Sequence, residues 1–149
     1  MSIRRMRDDD VDDVIRITLA AFSDAVASSL SENGVTTFEA LVSRAELLSR
    51  SRQDNLMLVF EDESGIVGYI ELKEGRHVAM LFVEPQRQRR GIGKALIAAA
   101  LEHRRVDKVT VRASHNSVPS YEKSGFVVTG PPGELHGLKY VPMALICDG

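Results

Sequence analysis

One segment of the chain limits its possible folds more than any other. Residues 81–96 read LFVEPQRQRRGIGKAL, so an apolar run ends, a basic loop with two glycines follows, and a further apolar stretch begins at once. The apolar run is typical of a buried strand, and the spacing of Ile92, Leu96 and Ala99 indicates a helix. This strand–loop–helix unit predicts helices packed on a sheet.

The rest of the chain supplies the other elements of such a sheet. Apolar periodicity and turn residues predict helices over about 11–26, 37–48, 92–103 and 118–124, with a break at 31–34. Strands are predicted over 3–6, 56–60, 66–72, 77–83, 108–112, 126–128 and 140–146. Two helices, a meander of strands and strand–helix–strand crossovers predict an α/β fold, with one mixed sheet and helices on both faces.

Composition favours one globular domain over 1–149. The 149 residues are 44% apolar and 27% charged with a formal charge of −2, which gives no overall attraction to nucleic acid or anionic lipid. The start of the chain lacks the apolar core of a secretory signal, and no apolar stretch approaches the roughly 20 residues that span a bilayer. The single cysteine, Cys147, excludes an internal disulfide and has no metal ligands around it. We therefore expect a soluble, cytoplasmic protein without a metal.

The basic loop has the features of an anion site. The first backbone N–H groups of a helix have no partner within it and carry partial positive charge. Gly91 and Gly93 lack a Cβ, so a phosphate can approach the backbone, and Arg87, Arg89, Arg90 and Lys94 add mobile charge. A Walker loop is excluded because Gln88 and Ala95 stand where Gly and Ser or Thr are needed. A dinucleotide fingerprint is excluded because Leu96 replaces its third glycine.

Residues 88–93, QRRGIG, match the pattern Q/R-x-x-G-x-G/A. Together with the preceding strand and the following helix, this match resembles the coenzyme A signature of the GCN5-related N-acetyltransferase (GNAT) superfamily. Residues 121–126, YEKSGF, resemble a second motif of that family, Y-x-x-x-G-F. The resemblance extends over 56–145, and the closing run 136–143 looks like a bacterial branch whose substrates are unassigned. The alternative to a coenzyme A site is a solvated basic loop without a ligand, followed by an ordinary helix.

The resemblance implies a mostly antiparallel sheet that is splayed in the middle, with acetyl-CoA as co-substrate and no metal. It implies that strand 81–83 parts from its neighbour near 109–113, so that pantetheine can pair with the free backbone groups. The residues that would bind the cofactor are Leu81, Phe82, Val83, Gln88, Arg89, Arg90, Gly91, Ile92, Gly93, Lys94 and Ser114. Ser114 stands where many members carry an asparagine seven residues before the tyrosine, and Asn116 is the nearest asparagine.

The same resemblance makes Tyr121 the general acid that protonates the departing thiolate, although a tyrosine there can also be a packed aromatic. The base that receives the amine proton stays open among Glu71, His77 and His136. His77 titrates near neutrality, but it can equally be a strand-edge histidine bonded to a carbonyl. Glu71 can equally be a solvated strand residue.

The expected activity is acetyl transfer from acetyl-CoA to a primary amine of a small molecule or peptide. The alternative is a module of the same fold that binds acyl-CoA without turnover. The acceptor site is expected at the first two helices with 27–36 and at 131–139. A third interpretation, Arg87, Arg89 and Arg90 binding nucleic acid, is disfavoured because no stacking aromatics lie nearby. A homodimer would fit the family, but no residue indicates one.

Overall fold

The computed structural model describes residues 2–25 and 32–147, and within them the chain forms eight strands and five α-helices. The strands are β1 Ser2–Arg5, β2 Asn55–Asp62, β3 Gly65–Lys73, β4 His77–Val83, β5 Lys108–Ala113, β6 Val127–Val128, β7 Gly133–Leu135 and β8 Leu138–Ile146. The helices are α1 Val11–Ala25, α2 Glu32–Leu41, α3 Arg44–Ser51, α4 Ile92–Leu101 and α5 Val118–Lys123.

All the strands belong to one mixed sheet. Its order is β1-β2-β3-β4-β5-β8-β6, and β7 pairs with β8. Only β4 and β5 are parallel; every other pairing is antiparallel. The strand–helix–strand crossover through α4 is what makes this one pair parallel. The predicted mixed, mostly antiparallel sheet is therefore confirmed.

Helices cover both faces of the sheet, as predicted, and each face has its own core. One core joins α4 and α5 to the sheet, with Leu96, Ile97, Tyr121 and Phe126 buried in it. The other joins α1, α2 and α3 to β2–β4. Alternation along β3 sends Ile70 to the first core and Tyr69 to the second, and both are fully buried.

The prediction of one helix over 37–48 is wrong. The chain forms α2 and α3 there, because Ser43 adopts an extended conformation and its hydroxyl accepts a hydrogen bond from the N–H of Glu46, which caps a new helix. The predicted break at 31–34 is also wrong for residues 32–34, which lie inside α2. A Cβ at Gly34 would lie 2.2 Å from the carbonyl oxygen of Gly137, so the glycine permits a close backbone contact. Val26, predicted on the first helix, lies outside the described residues.

The sheet splits between β4 and β5. Their pairing consists of His77 with Thr110 and Val78 with Val111, after which the two strands separate. Beside the split, β4 carries a bulge, since Glu71 of β3 faces Met80 while Leu72 faces Val78, and Ala79 is the extra residue. β5 stays paired with β8 along its whole length. The splayed sheet that the family resemblance implied is thus present.

Across residues 2–25 and 32–147, no helix combines the length and the apolar character needed to cross a bilayer.

Candidate active site

The split in the sheet opens into a cavity of about 540 Å³. One wall is the separated part of β4, and the opposite wall is the end of β5 with the segment 114–117 and Tyr121. α1, α2 and the β7–β8 hairpin close a third side. Of the predicted cofactor residues, those that line the cavity are Leu81, Phe82, Val83, Gln88 and Ser114, and those of 89–94 do not; of the predicted acceptor regions, parts of α1, α2 and 135–139 line it.

Backbone groups of β4 face this gap. Glu84 N–H donates to the carbonyl of Val67, 2.9 Å away, which fixes the phase of the β3–β4 ladder. By the alternation of an antiparallel pair, the N–H and C=O groups of Leu81 and Val83 point away from β3, toward the side that β5 has left. The carbonyl of Val83 accepts a hydrogen bond from Nε2 of Gln88 at 3.1 Å. Such groups need a partner when buried, and an extended ligand can supply it.

The loop of residues 84–91, called the glycine loop below, joins β4 to α4. Arg89 has φ 66° and Gly91 has φ 81°, so two residues adopt the left-handed backbone conformation just before α4 begins. A Cβ on Gly91 would meet nothing within 4 Å, so the glycine is required there by its backbone conformation rather than by crowding in the unliganded protein. The side chain of Ile92 is buried in the core, which leaves only its backbone for a ligand. The side chains of Arg89, Arg90 and Lys94 are exposed.

Arg87 does not belong to this mobile charge. Its guanidinium forms an ion pair with Asp62 and donates to the hydroxyl of Ser64 at 2.9 Å. Hydrogen bonds from Ser64 and the charge of Arg87 hold the pKa of Asp62 below its usual value. Arg87 thus ties the glycine loop to the β2–β3 turn. The expectation that it adds mobile charge is corrected, and Arg89, Arg90 and Lys94 supply that charge.

Ser114 and Asn116 both line the cavity beyond the end of β5. The hydroxyl of Ser114 lies 2.7 Å from that of Ser117, and the N–H of Ser117 donates to the Ser114 carbonyl at 2.9 Å. This short turn follows β5 directly, so both residues lie on the side of the cavity where β5 no longer pairs with β4.

Tyr121 reaches the cavity from α5. Its ring is 3% exposed and meets Phe126 edge to face, with centroids 5.3 Å apart. Burial raises the pKa of the phenol well above its ordinary value, so the hydroxyl stays protonated at neutral pH. No hydrogen-bond partner for this hydroxyl is present among residues 2–25 and 32–147. Gly125, with φ 97°, ends α5 and returns the chain to the sheet.

His77 lies at the closed end of the split. Its Nδ1 is 2.8 Å from the hydroxyl of Thr110, rather than bonded to a carbonyl as one interpretation supposed. Burial lowers its pKa below 6.5, and the positive charges of Arg112, Lys73 and Arg76 lower it further. The imidazole is therefore neutral at pH 7 and can accept a proton.

Glu71 does not line the cavity. It is 1% exposed, and its carboxylate accepts hydrogen bonds from Nε of Arg50 at 2.8 Å and from the hydroxyl of Tyr69 at 2.7 Å. Burial, followed by the charge of Glu71, raises the pKa of Tyr69 well above its usual value. The expectation of a solvated strand residue is wrong, because α3 covers this face of β3 and brings Arg50 to the carboxylate.

The end of the cavity nearest α1 and α2 is apolar. Phe22 stacks on Phe38 with centroids 3.9 Å apart, and Phe38 meets Phe82 of β4 edge to face at 5.3 Å. His136, the third base candidate, is exposed at the rim, and its carbonyl accepts a hydrogen bond from the hydroxyl of Thr37 at 2.9 Å. Residues 27–31, part of the segment 27–36 that the sequence predicts for the acceptor, lie outside the described residues.

Three cations that the sequence analysis did not single out also line the cavity: Lys73, Arg112 and Lys139. The guanidinium of Arg112 lies over the ring of Tyr140, 5.6 Å from its centroid. In the sequence, these cations show only the alternation of a strand with one polar face. Any strand with a solvated face shows the same alternation, so the sequence could not identify them as cavity residues. No cluster of three or more His, Cys, Asp or Glu side chains suited to a metal occurs in residues 2–25 and 32–147.

Comparisons with known proteins agree with this geometry. The sequence pattern of the acetyltransferase (GNAT) domain matches residues 26–147. Over 69 residues, or 46% of this chain, the sequence is 32% identical to the peptidyl-lysine N-acetyltransferase YiaC of Escherichia coli, covering 47% of that protein. Over 86% of the chain it is 30% identical to the mycothiol acetyltransferase of Propionibacterium freudenreichii, covering 43% of that protein.

The chain thus spans less than half the length of these two curated relatives. Among solved structures, the PaiA N-acetyltransferase of Thermoplasma acidophilum, in complex with coenzyme A, superposes with a TM-score of 0.83 at 22% identity. The superposition covers 97% of this chain and 98% of that one, so the two share a fold.

Proposed function

Because the chain belongs to the GNAT family of acetyltransferases, whose domain pattern covers residues 26–147, we propose that it transfers an acetyl group from acetyl-CoA to a primary amine. The observation that carries this proposal is the separation of β4 from β5 directly beside the glycine loop. The separation leaves backbone groups of Leu81 and Val83 facing a cavity that also receives Tyr121.

The residues present fit coenzyme A. The N–H groups that open α4 at Ile92 and Gly93 bind the diphosphate, and the side chains of Arg89 and Lys94 neutralise it. The open space around Gly91 leaves room for a phosphate against the backbone. The exposed backbone groups of Leu81 and Val83 pair with the pantetheine arm as a neighbouring strand would. The PaiA structure, which holds coenzyme A in the same fold, supports this placement.

Acetyl transfer by direct attack forms a C–N bond and breaks the C–S bond of the thioester. The N–H of Leu81, which points into the gap, stabilises the negative charge that develops on the carbonyl oxygen. Tyr121 gives its proton to the leaving sulfur, and burial keeps the phenol protonated at neutral pH until the thiolate develops. The acceptor amine loses its proton to a base.

His77 is the base that the cavity favours. It lines the cavity and is neutral at pH 7, whereas Glu71 is held by Arg50 and Tyr69 away from the cavity. His77 accepts the proton directly or through a water molecule, and the hydroxyl of Thr110 fixes the orientation of its ring.

The test of this mechanism is Tyr121→Phe. We expect turnover to fall about 100-fold or more, because general acid catalysis contributes factors of that order, while calorimetry shows unchanged affinity for acetyl-CoA. The matched control is Tyr140→Phe: Tyr140 contacts Arg112 through its ring, so removing its hydroxyl leaves that contact in place. Turnover by Tyr140→Phe should stay close to that of the wild type.

If acetyl-CoA binds but neither the wild type nor any variant releases thiol with any amine, the protein is an acyl-CoA-binding module and the enzymatic proposal fails. If calorimetry detects no binding of acetyl-CoA at millimolar concentration, the cofactor proposal fails as well.

A further inference from the structure

We propose that the amine accepted by this protein also carries an anionic group, as an amino acid does, and that Lys73 and Arg112 bind this group. The inference rests on the proposed acetyl transfer and specifies the class of acceptor. It is carried by the charges at the end of the cavity remote from the glycine loop.

The charged lining of the cavity has one sign. No aspartate or glutamate lines it among the residues that the structure describes, and 26–31, which read VASSLS, contain no acidic residue. Lys73, Arg112 and Lys139 form no ion pair with a carboxylate in the described part of the chain; Glu134, the register partner of Lys139, does not line the cavity. Unpaired cations around a concave site attract an anion and repel a polycation.

Lys73 and Arg112 lie far from the diphosphate position. Lys73 pairs with His77 across β3 and β4, and Arg112 follows Val111, the last residue of β5 that pairs with β4. β4 then runs six more residues to Val83 and the glycine loop, a distance of about 20 Å at the usual rise of a strand. The charge at Lys73 and Arg112 is therefore placed to meet the acceptor rather than the diphosphate.

The face of the sheet that carries these cations also carries an apolar wall. Alternation along β4, shifted by one residue at the bulge of Ala79, puts His77 and Phe82 on the face covered by α1–α3, where Phe82 meets Phe38 and Phe38 stacks on Phe22. These rings lie nearer to the glycine loop than to the cations, so the contact that distinguishes the acceptor is the one between its carboxylate and Arg112. The stacked position of Arg112 on Tyr140 holds its guanidinium in place for this contact.

The same charges assist the reaction. An amine attacks only in its neutral form, and nearby cations disfavour the protonated ammonium form. Arg112 and Lys73 act in the same direction on His77, whose pKa is lowered first by burial and then by these charges. An acceptor that brings its own carboxylate binds Arg112 through the anion and places its amine next to the thioester.

The experiment measures thiol release from acetyl-CoA with matched acceptors. The panel contains the common L-amino acids, the corresponding amino acid amides, which lack the carboxylate, and spermidine as a polycation. We expect kcat/KM to be about tenfold higher or more for the best amino acid than for its amide, since a hydrogen-bonded ion pair contributes at least that factor. Equal or better turnover of the amides or of spermidine would overturn the inference while leaving the acetyltransferase assignment intact.

Arg112→Gln tests the position of the contact. It should lower kcat/KM for the amino acid about tenfold or more, leave the value for the amide almost unchanged, and leave KM for acetyl-CoA unchanged. The control is Lys108→Gln, which removes a positive charge from the same strand and the same face of β5 but outside the cavity. A rise of KM for acetyl-CoA in Arg112→Gln, with the amino acid preference kept, would show that Arg112 serves the cofactor and would overturn the inference. Binding of acetyl-CoA with no acetylation of any amine would instead refute the proposed function, on which the inference depends.

Discussion

His77 shows how the residues of this site are set by neighbours distant in sequence. Its hydrogen bond comes from Thr110 and its lowered pKa from burial and from the cations on β3 and β5. The motif predicts the position of Tyr121, because Gly125 ends the helix in a left-handed conformation and Phe126 is buried in the core. No local pattern reports that Glu71 meets Arg50 or that Arg87 meets Asp62, because each partner lies on another element.

The lowered pKa of His77 predicts a pH dependence of stability. The unfolded chain has the higher histidine pKa, about 6.5, so between that value and the folded pKa the unfolded state binds more protons. The contribution of His77 to the free energy of unfolding is therefore fully present above pH 6.5, and it is lost as the pH falls through the pKa of the folded state. The lowered pKa values of Asp10 and Asp62 act only below about pH 4, so their effects are separate.

The measurement is urea unfolding of the wild type and of His77→Gln at pH 7.5, 6.5 and 5.5. The wild type should lose more free energy of unfolding over this range than His77→Gln does. The control His103→Gln removes an exposed histidine at the end of α4 and should keep the wild-type slope. An unchanged slope in His77→Gln would contradict the assignment.

At the scale of elements, the glycine loop contains a residue with backbone strain. Arg89 adopts a left-handed conformation that costs an L-residue roughly 1–2 kcal/mol, and it does so on the loop that precedes α4. Strain at such a place is common in functional loops, where the surrounding structure fixes it. The motif predicts the loop and the helix, but not which residue carries the left-handed turn. Likewise, periodicity continues across α2 and α3, so only the cap at Ser43 separates them.

Arg89→Gly is predicted to keep or raise stability while weakening cofactor binding. Glycine relieves the left-handed conformation but costs about 0.5–1 kcal/mol of chain entropy, so the free energy of unfolding should stay the same or rise by up to about 1 kcal/mol. Affinity for acetyl-CoA should fall about fivefold or more, because a cation is lost from the diphosphate.

Glu74→Gly is the matched control for this variant. Glu74 has φ 55° in the β3–β4 turn and lies outside the glycine loop and the cavity wall. Denaturant unfolding and calorimetry should show a similar change in stability but no change in affinity for acetyl-CoA. If both variants bind equally well, Arg89 does not contact the cofactor.

At the scale of the whole molecule, the sheet consists of two halves that share only two register pairs between β4 and β5. Apolar patterns predict the strands, the helices and their order, because each buries a continuous apolar face. They do not predict the split, since Leu81–Val83 are as apolar as any paired strand. Only the family resemblance implied it, and only the fold shows that Arg112 and Lys73 surround the same opening.

A ligand that bridges the two halves should stabilise the protein markedly. At 100 times its dissociation constant, acetyl-CoA should add about 2.7 kcal/mol, which raises Tm by about 5–10 °C for a domain of this size. Hydrogen exchange of Leu81 and Val83 should slow in the same sample. Gly91→Glu, which sets a negative charge on the diphosphate position, should abolish both effects; an equal rise of Tm in this variant would place the cofactor elsewhere.

The backbones of Gly34 and Gly137 meet beside the parts of α2 and the β7–β8 turn that line the cavity. The absence of a Cβ at both positions allows this close approach, and the hydrogen bond from the Thr37 hydroxyl to the His136 carbonyl joins the same two segments. A larger residue at either position acts as a wedge between two segments that line the cavity. The size of the molecules admitted should therefore respond to two positions that carry none of the proposed catalytic groups.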